Sequence, residues 1–266
     1  MKNKNLLAYF SALGAVFFWS FSFVWFKIAY LAYNPITVVI FRLAISVLLI
    51  LIIALSLKRL QKPTIKDFKL LALMAFFEPF IYFLGESYGL LYVSSTVAAV
   101  IVATIPLLSP IAAWYFLHER VSLKNVIGFV FSFLGVGIVV LNSSFRFDAS
   151  PLGVGLEFIA VFAAIAYSIV LRKVVYRYNT LTIIAYQNVI GILLFLPIWL
   201  LVDLRDFLTT PFHPQAFRAI VLLAVFASTL AFIFFTQSIR QLGVNRSNTF
   251  VNLIPVFVAI LSFFVL

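Results

Sequence analysis

The 266-residue sequence has no cysteine, only two histidines and little charge, since charged residues make up 10% of it. The lack of cysteine excludes disulfides and thiol chemistry, and the isolated His118 and His213 do not form a metal-binding cluster. A soluble domain carries about 25% charged residues. This chain is instead 65% hydrophobic, with a mean hydropathy of +1.17. The composition indicates an integral membrane protein, and we predict no cofactor.

Nine apolar runs are long enough to cross a bilayer, which takes about 20 helical residues. Short loops join these runs, so we predict an all-α membrane protein with nine transmembrane helices. The first run has no convincing cleavage site, and we interpret it as a retained helix rather than a signal peptide. The predicted spans are Leu6–Leu31, Pro35–Leu57, Lys69–Leu91, Ser95–Leu117, Leu123–Leu141, Pro151–Leu171, Leu181–Val202, Ala216–Ile239 and Val244–Leu266.

The net charge of +11 comes from cations that collect on one side of the predicted bundle. Fourteen of the 19 lysines and arginines lie in the N-terminal segment and in the loops on its side, whereas the opposite loops contain three. Positively charged loops face the cytoplasm. We therefore predict a bacterial inner membrane protein with a cytoplasmic N terminus. The charge is explained by the lipid bilayer, and nucleic acid is not an expected partner.

Weak internal matches recur in the same order along the two halves of the chain. At an offset of 145 residues Thr37 falls on Thr182, and at an offset of 149 residues Pro106 falls on Pro255. A repeat of five helices contains an odd number of crossings, so the second copy has to be inverted in the membrane. Inverted repeats are typical of secondary transporters.

The repeat divides the chain into residues 1–145, with helices 1 to 5, and residues 146–266, with helices 6 to 9. In this alignment Leu266 falls on Leu117, so the second copy has four helices and the tenth helix is absent. The two explanations are a truncated sequence and a nine-helix variant, and we favour truncation.

The segment Phe76–Gly89 places two acids inside a predicted span. Glu78, Tyr82 and Glu86 are spaced four residues apart and so share one stripe of a helix, while Pro79 predicts a bend. An acid at the centre of a bilayer costs about 3 kcal/mol on insertion scales, and such residues mark substrate, ion or proton paths. This stripe is therefore the first candidate site.

Glu78 has no cation predicted at its own depth. A carboxyl without a partner in a low-dielectric place favours its neutral form. Glu78 is therefore predicted to bind and release a proton, or to contact a cationic group of a substrate. The alternative is a protonated acid that is hydrogen-bonded to a neighbouring helix.

Four other intramembrane charges are predicted to lie in one layer below the face opposite the N terminus. They are Lys27, Arg42, Glu86 and Glu157, and their charges sum to zero. For Arg42 and Glu86 we weigh a closing gate against a static salt bridge between helices. Lys27 and Glu157 lie near enough to the interface for their ends to reach it, which favours a structural role.

Neutral amides and isolated aromatic residues complete the candidate set. Amides hydrogen-bond either a solute or a neighbouring helix. Trp19, Tyr82, Trp114 and Tyr167 are candidate cavity walls, with packing as the alternative, and most of the 32 phenylalanines are interpreted as lipid-facing. We assign to the substrate or proton site Glu78, Tyr82, Trp19, Asn248, Asn252 and Gln187, and to a gate or ion pair Arg42, Glu86, Lys27 and Glu157.

Four segments resemble the drug/metabolite transporter superfamily in its EamA-type ten-helix branch. They are Trp19–Lys27, Pro35–Arg42, Pro106–Ser122 with its HERVS sequence, and Val244–Pro255. The resemblance covers essentially the whole chain, with the missing tenth helix as its main departure. It implies export or exchange of amino acids, metabolites or drugs through a central cavity lined by both repeats.

We predict a secondary active transporter of a small organic solute, with export implied by the resemblance. A proton is favoured over sodium as the coupling ion, because the sequence offers one isolated carboxyl rather than a cluster of oxygen ligands. The alternative is a non-transporting membrane interaction or sensory subunit, and an enzyme is disfavoured because metal-ligand clusters are lacking. The predicted partners are a small-molecule substrate, the bilayer and a proton. Gly128, Gly135 and Gly137 predict a close helix contact, either within the chain or in a homodimer.

Overall fold

The computed structural model describes residues 2–119, 127, 128, 131 and 149–265, and these residues form helices and turns without a strand. Eight of the described helices are long and apolar enough to cross a membrane. In chain order the helices are α1 (Lys2–Ala29), α2 (Pro35–Ser56), α3 (Ile65–Tyr92), α4 (Ser95–Leu117), α5 (Pro151–Val174), α6 (Thr180–Val202), the short α7 (Leu204–Thr209), α8 (Pro214–Leu242) and α9 (Val244–Phe264).

The spanning helices confirm eight of the nine predicted spans, with ends that differ by at most four residues. The fifth predicted span, Leu123–Leu141, lies outside the described residues except at positions 127, 128 and 131, and Gly135 and Gly137 lie outside them as well. Because of this gap, α5 corresponds to the sixth predicted span. The all-α membrane fold is therefore as predicted.

Two of the spanning helices are interrupted near their middles. In α3 the segment Phe76–Ile81 is π-helical, and Glu78 inside it has a non-helical backbone with φ −141° and ψ 113°. In α8 the segment Leu223–Leu230 is also π-helical. Pro79 removes one backbone donor from α3, so the predicted distortion at this proline is confirmed. Such bulges frequently occur at functional sites.

The two halves of the chain are joined by polar contacts at the end of the bundle that holds the N terminus, which we call the charged end. Asp67 of α3 pairs with Arg177 and accepts a hydrogen bond of 2.8 Å from the Tyr178 hydroxyl. The Thr64 hydroxyl caps the start of α3 by accepting from the Asp67 N–H. The turn between α5 and α6 is thereby fastened to α3.

Glu119 makes a second junction at the charged end. Its carboxylate lies 3.7 Å from the Arg172 guanidinium of α5 and accepts from the backbone N–H groups of Val244 and Asn245 at the start of α9. The preceding Gly243 has a φ of +84°, which glycine adopts without strain. The glutamate of the HERVS sequence thus connects the end of α4 to the turn between α8 and α9.

A separate set of bonds fastens α2 to α6 and α7 at the other end of the bundle, which we call the opposite end. Asp203 accepts from the Thr37 N–H at 2.8 Å and from its hydroxyl at 3.0 Å. The Trp199 indole donates to the same hydroxyl at 3.0 Å, and Asn34 donates to Asp206 at 3.0 Å. These contacts join α2 and the turn before it to α6 and α7.

Helices α3 and α5 approach each other closely along a seam of glycines. A Cβ atom at Gly85 would lie 2.9 Å from the backbone nitrogen of Ala160, so only glycine fits there. Gly153 of α5 packs in turn against Tyr92 and Val93 near the end of α3. Small residues of this kind let helix backbones come together in a membrane.

Candidate functional site

A cavity of about 570 Å³, a volume that includes its open mouth, lies near the middle of the bundle. Residues of α1 to α5, α8 and α9 line it, so both halves of the chain contribute. The side chains that bear on its chemistry are Trp19, Arg42, Glu78, Tyr82, Phe83, Glu86, Tyr167, Phe232, Phe235 and Asn248. The cavity therefore brings together four of the six predicted substrate or proton residues and two of the four predicted gate residues.

Glu78 borders this cavity from the π-helical segment of α3. The residue is only 4% exposed, yet it accepts no hydrogen bond from another described residue. Its neighbour Pro79 packs against Gly191 of α6, which holds the distorted segment against the bundle. A buried acid that faces an open space without a partner is available to a proton or to a ligand.

Arg42 reaches the cavity from α2 and is 1% exposed. Its Nε donates to the Ser228 hydroxyl at 2.7 Å, and its guanidinium lies over the rings of Phe83, at 4.3 Å, and Phe26, at 5.0 Å. The Nη1 atom has no hydrogen-bond partner within the described ranges. Arginine stacks in this way because the guanidinium is planar, and the stacking leaves one edge of the group unused.

The predicted ion pair between Arg42 and Glu86 is not formed in this structure. The two groups are not within ion-pair distance, and Glu86 instead accepts from the Tyr82 hydroxyl at 3.0 Å, one helical turn earlier. Depth along a helix axis does not fix the direction in which a side chain points, which explains the error. Both residues nevertheless line the same cavity.

Lys27 and Glu157 lie outside the cavity lining and do not form an ion pair with each other. The Lys27 ammonium donates to the carbonyls of Leu90 and Val93, the latter at 2.9 Å. Glu157 is 0% exposed. The prediction that Glu157 reaches the membrane interface is wrong, because α3 packs directly over it.

The three predicted amides occupy different positions. Asn248 lines the cavity, and its side-chain nitrogen has no hydrogen-bond partner in the part of the chain that the structure describes. Gln187 is buried behind the cavity wall, where it accepts from the Tyr167 hydroxyl at 3.2 Å, and Tyr167 lines the cavity in front of it. Asn252 is half-buried and is not part of the lining. Only Asn248 is therefore placed to contact a bound solute directly.

Aromatic rings form one wall of the cavity. The Trp19 ring lies 5.3 Å from Phe232 and 4.9 Å from Phe235, and Tyr167 contacts both phenylalanines. Trp114, which was also predicted as a wall, is 59% exposed and lies elsewhere. Sequence reasoning missed Phe232 and Phe235, because nothing distinguishes them from the other phenylalanines of a chain so rich in this residue.

The described residues contain no group of three or more histidine, aspartate or glutamate side chains that would suit a metal ion. The charged and amide groups that line the cavity are two carboxyls, one guanidinium and one amide, and the hydroxyls of Tyr82 and Tyr167 lie beside them. These groups recognise charge and hydrogen-bonding patterns in a ligand.

The sequence pattern that defines the EamA-like transporter family matches residues 6–141 and again residues 151–266. The chain belongs to this family. One matched range lies in each predicted half of the chain, while the inverted orientation of the halves stays a prediction. Membership agrees with the resemblance to the drug/metabolite transporter superfamily. The protein is thus a multi-pass membrane protein of a transporter family, with a small-molecule substrate and a lipid environment.

Relatives in two organisms carry the same general description. An uncharacterized transporter of Archaeoglobus fulgidus is 26% identical over 251 residues, which cover 91% of this chain and 83% of the relative. The uncharacterized transporter YetK of Bacillus subtilis is 25% identical over 84% of this chain and 68% of its own length. A solved structure titled "Crystal structure of protein" shares the fold, with a TM-score of 0.74 at 16% identity over 96% of this chain and 88% of that chain.

Proposed function

We propose that this protein is a secondary active transporter that moves a small organic solute across a bacterial cytoplasmic membrane by alternating access. The observation that supports this most is the central cavity, in which Glu78 and Asn248 offer hydrogen-bonding atoms that have no partner in the described part of the chain. Buried polar groups are nearly always satisfied in folded proteins. A cavity lined by polar groups that lack hydrogen-bond partners is suited to a ligand that supplies those bonds.

The chemistry of the lining favours a substrate with an amine next to an apolar or aromatic part. The Glu78 carboxylate suits an ammonium group, and the free edge of Arg42 with the Asn248 amide suits a carboxylate or carbonyl. The Trp19 and Phe235 rings supply an apolar wall that also attracts cations. Amino acids, related metabolites and amine-containing drugs share these features.

Glu78 also supports proton coupling and an export direction. A single carboxylate cannot hold a proton and form an ion pair with an ammonium group at the same time, so proton and substrate compete for it. Such competition gives exchange, in which an inward proton gradient drives the solute outward. We assign the charged end to the cytoplasm, in keeping with the excess of lysine and arginine on that side.

Flux measurements in proteoliposomes test this function. Amino acids and organic amines that raise the thermal stability of the purified protein are the substrates to use. We expect a pH gradient to drive their flux in the wild-type protein and not in Glu78→Gln. The matched control is Asp206→Asn, which removes an exposed carboxylate that lies outside the cavity.

Two outcomes would count against parts of the proposal. If no solute moves in the wild-type protein and Glu78→Gln leaves ligand binding unchanged, the transport function fails, and a non-transporting interaction or sensory role replaces it. If the flux proceeds but ignores the pH gradient, only proton coupling fails.

The orientation has its own test, because the natural sequence has no cysteine. Single cysteines introduced at Lys62 on the charged end and at Thr209 on the opposite end are labelled with an impermeant reagent in intact cells. We expect labelling at position 209 and protection at position 62. The reverse pattern would overturn the assignment of the charged end to the cytoplasm.

A further inference from the structure

Glu157 of α5 is a second buried acid that the cavity does not use. It is 0% exposed, and neither of its carboxyl oxygens has a hydrogen-bond partner among the described residues. The side chain packs against the bare backbone of Gly89 on α3, where a Cβ atom would lie 2.6 Å from its Oε1 atom. The acid is therefore enclosed in the glycine seam between the two helices.

The surroundings of Glu157 do not support a permanent negative charge. The charged groups near enough to act on it are Lys27 of α1 and Glu86 of α3, together with the hydroxyls of Tyr30 and Tyr82. The Lys27 ammonium is occupied by backbone carbonyls. Among the described residues, no charged side chain of α4, α8 or α9, which also pack on α5, acts on Glu157. A carboxylate without a donor in such a place is strongly disfavoured, so the form that fits is the protonated acid.

The position of Glu157 links it to the cavity. Gly89, which it contacts, follows Glu86 by three residues on α3, and residues at this spacing lie on the same side of a helix. Glu86 borders the cavity next to Glu78. The three glutamates thus form a series that leads from the cavity toward the opposite end, where Lys27 meets Leu90 and Val93.

We propose that Glu157 is a second proton-binding site, which exchanges its proton with Glu86 during transport. In the forward step the O–H bond of Glu157 breaks as an O–H bond forms on the Glu86 carboxylate, and Glu157 is left as a carboxylate near Lys27. A proton from the solution at the opposite end then restores it. No electrons are transferred. This inference rests on the proposed proton-coupled transport.

The protonation state of Glu157 is tested by infrared spectroscopy of the full-length protein in lipid at neutral pH. A protonated carboxyl has a carbonyl stretch that an ionised carboxylate lacks. We expect such a band in the wild-type protein, its loss in Glu157→Gln, and its retention in the control Asp206→Asn. A spectrum that Glu157→Gln leaves unchanged would overturn the proposal.

The role of Glu157 in coupling is tested by flux. In Glu157→Gln we expect flux driven by a pH gradient to fall about tenfold, in the range usual for coupling between two sites, while exchange of labelled for unlabelled substrate without a gradient stays at the wild-type rate. Glu157→Asp, which keeps an acid, should restore part of the driven flux. A purely structural role would instead lower both kinds of flux together.

The outcomes separate this inference from the proposed function. Wild-type flux that ignores a pH gradient overturns proton coupling and this inference together. Driven flux that is equal in wild type and Glu157→Gln overturns only the inference. Should Glu157→Gln not fold, Glu157→Asp takes its place, since it shifts the carbonyl band without removing the acid, and an unshifted band overturns the proposal.

Discussion

The charged end and the central cavity both contain acidic and basic side chains, but these side chains form ion pairs only at the charged end among the described residues. At the charged end Asp67 pairs with Arg177, and Glu119 lies 3.7 Å from Arg172. Within the described residues of the cavity, by contrast, Arg42 makes no ion pair with either glutamate, although it is far more deeply buried than the paired arginines.

This difference indicates what each region is for. Groups that are paired with each other stabilise one arrangement of the helices, and the contacts of the charged end join the two halves of the chain. Buried groups without partners cost stability, and proteins retain such violations chiefly at functional sites. We therefore interpret the charged end as a junction between the two halves, and the contrast supports the proposal that the cavity is the binding site.

The largest expected effect is that of Arg42→Lys, which keeps the positive charge in the cavity but removes the planar guanidinium group. Lysine lacks the planar group that lies over Phe83 and the Nε that donates to Ser228. We expect proteoliposome flux to fall on the order of 100-fold, as for other groups that lose their position at a site.

The matched control is Arg218→Lys on α8, which changes an exposed arginine outside the cavity in the same way. Flux through this variant should equal that of the wild-type protein. If Arg42→Lys also transports at the wild-type rate, the arginine acts only as a charge. The contrast between the central cavity, as a binding site, and the charged end, as a structural junction, would then lose its main support.

The next effect is that of Gly191→Ala, which tests whether the scaffold holds Glu78 in place. A Cβ at position 191 would collide with the Pro79 ring beside Glu78. Overpacking of this kind costs about 1–3 kcal/mol, so we expect a lower thermal midpoint and weaker flux. Gly155→Ala is the control, because a Cβ there meets nothing within 4 Å, and its midpoint should not fall.

The spans could be predicted because a bilayer sets the length of an apolar run. The same reasoning located Glu78, since an acid inside such a run stands out whatever surrounds it. The distortion at Pro79 was also predictable, because proline cannot donate the helical hydrogen bond. These features depend on one segment of sequence at a time.

Features that depend on two segments were not predicted. Arg42 and Glu86 have similar predicted depths in the membrane but are not paired. The rings of Phe232 and Phe235 had no distinguishing signal in the sequence. The burial of Glu157, by contrast, did have a signal in the sequence. Glycines at positions 85 and 89 have the spacing of a close helix contact, which predicts that an acid on the facing helix is covered rather than exposed.

A smaller effect is expected at the charged end. Asp67→Asn removes a charge that accepts from Tyr178 and pairs with Arg177. Asparagine keeps an oxygen that accepts from Tyr178 but loses the charge that strengthens both contacts, so the free energy of unfolding should fall while substrate affinity stays unchanged. Arg177→Gln should cost less, because the Arg177 side chain is 54% exposed and exposed pairs contribute about 0–1 kcal/mol. Equal losses of unfolding free energy in Asp67→Asn and Arg177→Gln would contradict this account.

The smallest effect separates two tryptophans that the sequence does not distinguish. Trp19→Phe keeps an aromatic wall but removes the indole bond to the Ala227 carbonyl, which measures 3.2 Å. Such a bond contributes about 0.5–1.5 kcal/mol, so we expect substrate affinity, measured by calorimetry, to fall several-fold as the ring loses its anchor. Trp114→Phe, at a residue that is 59% exposed, should leave affinity unchanged. Equal losses in the two variants would show that affinity reports general helix packing, and the aromatic wall would then have no special part in binding.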